Sequence, residues 1–265
     1  MSAFSADWLG LRERYDTRAR NPAVLDALAA ALADRASIAI VDLACGTGAT
    51  SRAIASRLPP RRSWRLVDND PGLLARAASA GTDVVTMPLD IARQLDAALA
   101  APLDLVTASA LLDLVSGAWL ERLASRIAAR GLMIYAALSY DGRLALEPAD
   151  PVDAAMIEAV NRHQRGDKGF GPALGPAAAA EAVARFAGLN YAVVSGSSDW
   201  RLGPPDQEIQ AELVAGWATA AREGGEPARG EIDGWLERRR DHIARGRSSI
   251  QVGHVDLFAR PIGAR

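Results

Sequence analysis

A glycine-rich segment, VDLACGTGAT at residues 41–50, stands between a short apolar run and a helical pattern. Gly46 and Gly48 let the backbone bend sharply and approach a ligand without a Cβ in the way. Asp42, four residues before Gly46, is a poor partner for a phosphate and a good partner for a cation. A nicotinamide fingerprint needs a third glycine where Ser51 stands, and the G-K-[ST] sequence of a P-loop is absent. The segment therefore predicts a positively charged, phosphate-free ligand at a strand-to-helix junction.

Two acids follow at the ends of the next two strand-like runs. Asp68 closes WRLVDN at 64–69, and Asp90 follows TDVVTM at 82–87. Each also has a purely structural interpretation, Asp68 as a turn residue and Asp90 as a helix N-cap. The glycine loop alone is likewise what any tight strand-to-helix turn needs. Because the carboxyl ends of parallel strands meet at one edge of a sheet, the three features together indicate a binding site there.

In this order the segments resemble the motifs of the class I S-adenosylmethionine-dependent methyltransferases. Asp42, Gly46 and Gly48 match the first motif, D-x-G-x-G-x-G, with Ala44 where the first glycine often stands. The resemblance is close over residues 38–138 and extends over 176–260 in pattern only. It implies S-adenosyl-L-methionine as the cofactor and methyl transfer as the reaction, for which the protein mainly positions the acceptor and removes its proton.

The resemblance also implies a role for each strand end. An acid at the position of Asp68 pairs with both ribose hydroxyls, and one at the position of Asp90 meets the adenine amino group. The loop after the fourth strand lies between cofactor and substrate. The cofactor-binding residues implied in this way are Asp42, Ala44, Gly46, Gly48, Asp68, Asn69, Asp90, Ile91 and Ser109.

The acceptor is expected against the segment NRHQRGDKGFGPALG at 161–175, which follows the fifth strand and opens on the same edge. Lys168 is the only lysine in the chain, and a retained ammonium among arginines indicates a site that a guanidinium does not fit. His163 is a candidate general base, a common role of histidine in enzymes. We therefore predict His163, Asp167 and Lys168 as catalytic residues. A solvated connecting loop, with His163 bonded to helix-end carbonyls, is the alternative.

Other candidates are weaker. Tyr140 and Asp141 follow the fifth strand directly, and Cys45 fits best as a small buried residue of the loop. The run WLERRRDHIARGR at 235–247 is the only basic cluster, and its pattern favours a solvated, partly amphipathic helix over an RNA-binding face. One of four arginines ahead of the first strand is available to bind the cofactor carboxylate; they are Arg12, Arg14, Arg18 and Arg20.

Strand and helix signals alternate along the chain, which is typical of a sheet covered by helices. We predict an α/β fold, a Rossmann-like doubly wound sheet of seven strands that is mostly parallel with an antiparallel edge. The predicted organisation is an N-terminal helical segment, 1–36, and a methyltransferase domain, 37–265. Two helical insertions, the first at about 139–175 and the second at about 197–248, are expected to form a lid.

The composition limits the alternatives. With 265 residues, 49% of them hydrophobic, the chain is long and apolar enough for a large core and is not disordered. The single Cys45 argues against a disulfide framework and against a Cys-rich zinc site, so no metal is predicted. No apolar run approaches a membrane span, and the start MSAFSADWLG lacks a signal-peptide pattern, so we expect a cytoplasmic protein. A net charge of −2 makes a nucleic-acid partner unlikely.

These observations predict methyl transfer from S-adenosyl-L-methionine to a small-molecule acceptor. Two alternatives remain open. One is an RNA or protein methyltransferase, which would need a basic, salt-sensitive surface around 235–247. The other is a catalytically silent partner subunit that binds the cofactor and has no acceptor pocket.

Overall fold

The computed structural model describes residues 5–78, 83–100 and 102–263. Two helices precede the sheet, and strands and helices then alternate. The elements are α1 (Ala6–Ala19), α2 (Pro22–Leu32), β1 (Ser37–Leu43), α3 (Ala49–Ile54), β2 (Arg61–Asp68), α4 (Pro71–Ala78), β3 (Val84–Pro88), α5 (Ile91–Ala98), β4 (Leu105–Ser109) and α6 (Gly117–Ala129). The start of the predicted third strand, Thr82, lies outside the described residues, as do residues 1–4 and 264–265.

The second half of the chain is more elaborate. A short 3₁₀ helix, Leu112–Leu114, follows β4. The remaining elements are β5 (Met133–Glu147), α7 (Asp153–Gln164), α8 (Ala178–Gly188), β6 (Tyr191–Ser197), β7 (Trp200–Leu202), α9 (Gln207–Gly224), α10 (Arg229–Ala244) and β8 (Ser249–Pro261). No helix of the described residues is long and apolar enough to cross a bilayer.

Polar side chains cap the N-termini of several helices, among them Asp90, for which the sequence predicts this role. In each case a side-chain oxygen accepts a backbone N–H of the first turn, which satisfies a donor that the helix leaves unpaired. The residues are Ser5, Asn21, Asp90 and Ser116.

The strands form one sheet in the order β3-β2-β1-β4-β5-β8-β6, with β7 paired to β8 as an eighth strand over the described residues. Neighbouring strands from β3 to β5 are parallel, and β8 is antiparallel to both β5 and β6. The predicted Rossmann-like, mostly parallel sheet with an antiparallel strand near one edge is confirmed. Parallel order brings the carboxyl ends of β1, β2, β3 and β4 to a common edge.

Helices cover both faces of this sheet. Ile38 and Ile40 of β1 pack among α2, α3 and α4, whereas Val41 and Leu43 pack on the opposite face with α5, α6 and α8. Successive side chains of a strand point to opposite faces, so this division follows from the alternation of the strand. The doubly wound arrangement explains why β1 reads as a continuous apolar run.

Residues 139–147, which the sequence pattern assigns to the first insertion, continue β5 as strand. They pair with Ser249–Val255 of β8 through two register shifts. This extension and β7 carry a third apolar core, which they share with α1, α7, α9 and α10. The remainder of both predicted insertions is therefore attached at the carboxyl edge of the sheet, next to α1.

Candidate functional site

The glycine loop lies between β1 and α3 and is held in left-handed backbone conformations. The φ angles are +52° at Ala44, +55° at Gly46 and +81° at Gly48. Ala44 adopts a conformation that costs a residue with a Cβ some energy, which explains why glycine suits this position better. A Cβ on Gly46 would lie 3.1 Å from Cδ1 of Leu9 in α1. The loop is therefore tightly turned and covered by α1.

Asp68 at the end of β2 binds this loop directly. The backbone N–H of Gly46 donates to Oδ2 of Asp68 (2.9 Å), and the N–H of Asp70 donates to Oδ1 (3.0 Å). The backbone N–H of Cys45 also donates to the Val67 carbonyl (2.9 Å). The structure thus brings the acid of the second strand to the glycine loop. Asn69 follows Asp68 and is exposed.

Asp42 lies fully buried beneath the loop. The hydroxyl of Thr107 in β4 donates to its Oδ1 (2.6 Å), and its Oδ2 has no hydrogen-bond partner among the described residues. Burial raises the pKa of Asp42 to about 7, although the Thr107 bond and the charge of Arg20 oppose this shift. Asp42 is therefore poised between its charged and neutral forms near neutral pH.

Arg20, one of the four N-terminal arginines, binds side chains of β4 and β5. It is 5% exposed, and its Nη2 donates to the Ser109 hydroxyl (3.4 Å) while its Nη1 donates to the Tyr135 hydroxyl (3.1 Å). Its Nε has no hydrogen-bond partner among the described residues. The buried guanidinium thus binds Ser109 at the end of β4, and it is close enough to Asp42 to lower the pKa of that acid.

The third acid, Asp90, follows the end of β3. The N–H of Leu89 donates to the Asp68 carbonyl (3.0 Å), which places Asp90 beside the end of β2. Oδ1 of Asp90 accepts the N–H of Ala92 (3.0 Å), so this acid also serves as the N-cap of α5. Ile91 is buried, and its carbonyl accepts the indole N–H of Trp119 (2.9 Å).

The structure brings His163 and Lys168 together, in contact with the second insertion. Nζ of Lys168 lies 3.3 Å from Nδ1 of His163, whose Nε2 lies 3.0 Å from Oε2 of Glu223 in α9. Burial lowers the pKa of Lys168. Oδ1 of Asp167 instead accepts the N–H groups of Gly169 and Gly171, so it organises its own loop.

The rest of this segment contacts α6 and the loop that follows β4. The Phe170 ring packs edge-on against Trp119, with 5.3 Å between the ring centres, and the Leu174 N–H donates to the Val115 carbonyl (2.8 Å). Trp119 in turn binds the Ile91 carbonyl. The hydrogen bonds described for the His163 and Lys168 side chains stay within the two insertions and do not reach the glycine loop.

A second polar cluster, which we call the acceptor cluster, lies beyond the end of β4, against the central parts of β5 and β8. It consists of Arg12, Asp113, Tyr140, Trp200 and His254. The His254 ring centre lies 6.3 Å from that of Tyr140 and 5.4 Å from that of Trp200, and the Arg12 guanidinium lies 5.0 Å over the Trp200 ring. Arg12 is close enough to Asp113 and His254 to lower the pKa of both.

Burial dominates the titration of the two acceptor-cluster groups. It raises the pKa of Asp113 to about 6, and backbone hydrogen bonds from Asp113 itself and from Tyr140 partly offset this rise. It lowers the pKa of His254 to about 3, so this imidazole is neutral at physiological pH. Neither Asp113 nor His254 lies in a motif that marks it as functional in the sequence. An acid inside the apolar run ALLDLV at 110–115 was the available signal for Asp113.

The fold has solved counterparts at low sequence identity. A cyclopropane-fatty-acyl-phospholipid synthase-like protein from Lactobacillus casei ATCC 334 is 12% identical, with 96% of this chain and 94% of that chain covered and a TM-score of 0.55. The YcgJ protein from Bacillus subtilis is 15% identical, with 92% and 100% covered and a TM-score of 0.50. A methyltransferase from Thiobacillus denitrificans, solved with S-adenosyl-L-homocysteine, is 15% identical, with 97% and 99% covered and a TM-score of 0.44.

No protein-family model matches the chain, and no curated protein matches it in sequence. The likenesses to solved structures therefore concern the fold and not the reaction. The chain has the fold of the class I S-adenosylmethionine-dependent methyltransferases.

Proposed function

We propose that the protein transfers a methyl group from S-adenosyl-L-methionine to a small-molecule acceptor. The observation that carries this proposal is the hydrogen bond between the Gly46 N–H and the Asp68 carboxylate. It joins a left-handed glycine loop to an acid on the neighbouring strand end, with Asp90 and Ile91 alongside. A cofactor with a ribose, an adenine and an amino-acid end needs these groups side by side.

The residues present fit that cofactor. In this proposal Asp68 accepts hydrogen bonds from the ribose hydroxyls, and Asp90 with Ile91 contacts the adenine; the positions of these residues at the ends of β2 and β3 support it. The left-handed backbone at Gly46 and Gly48 leaves room for the close approach of the amino-acid end. The proposed cofactor-binding set is Asp42, Ala44, Gly46, Gly48, Asp68, Asn69, Asp90, Ile91 and Ser109.

Arg20 extends this set. A buried guanidinium with an unpartnered Nε, next to Ser109, is suited to the carboxylate of the amino-acid end. When bound, the sulfonium supplies an electrophilic methyl group. The chain then contributes orientation, exclusion of water by α1, and a group that accepts the proton of the acceptor.

A small acceptor agrees with the way the edge is covered. Helix α1 lies over the glycine loop through Leu9, and an ion pair between Glu13 and Arg52 holds it there (2.7 Å). His163, Asp167 and Lys168 in the first insertion remain the proposed catalytic residues from the sequence. We also retain the division into a helical segment, 1–36, and a catalytic domain, 37–265.

The alternative of an RNA or protein acceptor has less support. The basic cluster at 235–247 lies in α10, where Arg238 forms a bidentate pair with Asp150 (2.6 and 3.0 Å). Arg239 is fully buried and binds Asp153. These two arginines stabilise the second insertion instead of offering charge to a polyanion.

Calorimetric titration with S-adenosyl-L-methionine tests the proposal. We expect the wild-type protein to bind it and Asp68→Ala to lose about 1–3 kcal/mol of binding free energy, roughly 5- to 150-fold in Kd. Asp34→Ala, which removes an exposed acid before β1 at the opposite edge, is the matched control. Unchanged affinity in folded Asp68→Ala would remove Asp68 from the site. Absence of binding by the wild type would refute the proposed function.

A further inference from the structure

The acceptor cluster contains two buried side-chain atoms without a partner, and it carries an inference that rests on the proposed function. Oδ1 of Asp113 and Nδ1 of His254 have no hydrogen-bond partner among the described residues. Their residues are only 5% and 6% exposed. Buried polar atoms are nearly always paired, so two unpartnered atoms in one cluster need an explanation, and a bound ligand that completes their hydrogen bonds is one.

The acceptor cluster lies next to the end of β4, beside the proposed cofactor site, where a methyl acceptor has to bind. Asp113 lies on the 3₁₀ helix four residues after Ser109, the end of β4 next to the glycine loop. The backbone of Tyr140 in β5 is close enough to Asp113 to lower its pKa, and Tyr140 is paired in register with His254 of β8. Asp113 and His254 therefore both lie near Tyr140, where β4, β5 and β8 come together.

Both unpartnered atoms are hydrogen-bond acceptors. Asp113 is largely a carboxylate above pH 6, since burial raises its pKa to about 6. His254 is neutral and has one N–H. We assign that proton to Nε2, because Nδ1 is the ring nitrogen that is buried without a partner among the described residues. Nδ1 is then left with its lone pair. Both unpartnered atoms therefore need a ligand that donates hydrogen bonds to them.

The cation of the cluster is already paired. Nε and Nη2 of Arg12 donate to the two carboxylate oxygens of Asp16 (2.9 and 3.2 Å). Oδ1 of Asp16 also accepts the indole N–H of Trp200 (3.0 Å). A carboxylate substrate would have to compete with Asp16 for Arg12 and would place its charge near Asp113. A ligand with N–H groups can donate to both unpartnered atoms without displacing Asp16, and the charge of Asp16 offsets that of Arg12. The ring of Tyr140 also favours a cation.

We propose that the methyl acceptor is a small primary or secondary amine and that Asp113, instead of a residue of the first insertion, is the catalytic residue that takes its proton. A hydroxyl brings one hydrogen-bond donor, whereas a protonated amine brings two or more and satisfies both Asp113 and His254. The bound ammonium gives one proton to the Asp113 carboxylate. The amine nitrogen forms a bond to the methyl carbon as the carbon–sulfur bond breaks with its electron pair on sulfur. An N-methylammonium product results.

Helix α1 must move for the amine to enter. It supplies Trp8 and Arg12 to the cluster and Leu9 to the glycine loop, so one helix covers both sites. The exposed Glu13–Arg52 pair fastens it on the cofactor side. Acceptor and cofactor thus share a single cover.

The test measures transfer of a tritium-labelled methyl group from S-adenosyl-L-methionine to a matched panel. The panel contains butylamine, phenethylamine and putrescine, with butanol, phenethyl alcohol, butyrate and hydrocinnamate as counterparts. We expect transfer to at least one amine and about a 10²-fold lower turnover in Asp113→Asn, with cofactor affinity unchanged by calorimetry. Asp34→Asn, an exposed acid away from the cluster, is the control.

The outcomes separate this proposal from the proposed function. A wild-type protein that binds the cofactor but methylates only alcohols or acids, or no member of the panel, overturns the amine assignment and leaves cofactor binding intact. Amine transfer that survives Asp113→Asn and is lost in Lys168→Ala moves the acceptor site to the first insertion. If Asp113→Asn does not fold, a second measurement uses the wild type saturated with S-adenosyl-L-homocysteine. It follows the quenching of Trp8 and Trp200 fluorescence by these amines. No amine-specific change there also overturns the proposal.

Discussion

Replacing Asp113 by asparagine should stabilise the protein, and the gain should grow with pH. Folding raises the pKa of this buried acid from 3.8 to about 6, so the folded state favours its protonated form. The resulting stabilisation is complete below pH 3.8 and is lost as the pH rises through about 6. Asparagine has the shape of the acid without its charge and so avoids the cost of ionisation.

The size of the effect follows from the two pKa values. Linkage gives an ionisation cost of about 1.6 kcal/mol at pH 5 and about 3 kcal/mol at pH 8, a difference of about 1.4 kcal/mol. The unfolding entropy of a 265-residue chain converts this difference into a Tm change of roughly 2–3 °C. The stability gain of Asp113→Asn should therefore be larger at pH 8 than at pH 5 by that amount.

Thermal unfolding of both proteins at the two pH values, followed by circular dichroism, measures this difference. Glu208→Gln, which removes an exposed acid at the start of α9, controls for the loss of one negative charge. A gain that is the same at pH 5 and pH 8, or a loss that deepens with pH, would show that Asp113 is not a destabilised buried carboxylate. The placement of an unpartnered acid in the acceptor cluster would then be wrong.

Three further predictions concern other groups. Glu13→Gln should speed amide exchange in α1, and an exchanged pair, Glu13→Arg with Arg52→Glu, should restore protection; equal exchange in all variants would contradict a cover held by this pair. Lys168→Ala and His163→Ala should keep cofactor affinity and lower turnover about 10²-fold if these residues act on the acceptor, with Lys168→Arg failing to rescue. Wild-type turnover in these variants would reduce the segment to a connection. His254→Asn should remove an acid sensitivity worth about 2 kcal/mol at pH 5, because the depressed pKa of about 3 gives stability that is lost as the pH falls below 6.5. A change in urea midpoint between pH 7.5 and pH 5 that is the same in His254→Asn and in the wild type would contradict this.

The cofactor edge was predictable because its signals are local. Gly46, Asp68 and Asp90 each stand directly after a strand that the sequence marks clearly, and parallel pairing of β1, β2 and β3 brings their ends together. The structure places these residues side by side, as expected from that order. The conformation of Ala44 also agrees with its place in a motif that usually has glycine.

The acceptor cluster was not predictable in the same way. Its central contact joins Tyr140 to His254, which are far apart in sequence and meet only through the register of β5 with β8. Residues 139–147 look like a loop because Asp141 and Gly142 interrupt the strand pattern, and two register shifts accommodate them. Such long-range pairing depends on the whole sheet and leaves little trace in a short window of sequence.

A crystal structure with S-adenosyl-L-homocysteine bound would test the central claim most directly. The account predicts the ribose hydroxyls within hydrogen-bond distance of the Asp68 carboxylate and the amino-acid end against the loop that holds Gly46 and Gly48. It also predicts the sulfur on the side of Asp113. A ligand bound elsewhere, or with its ribose away from Asp68, would contradict the account.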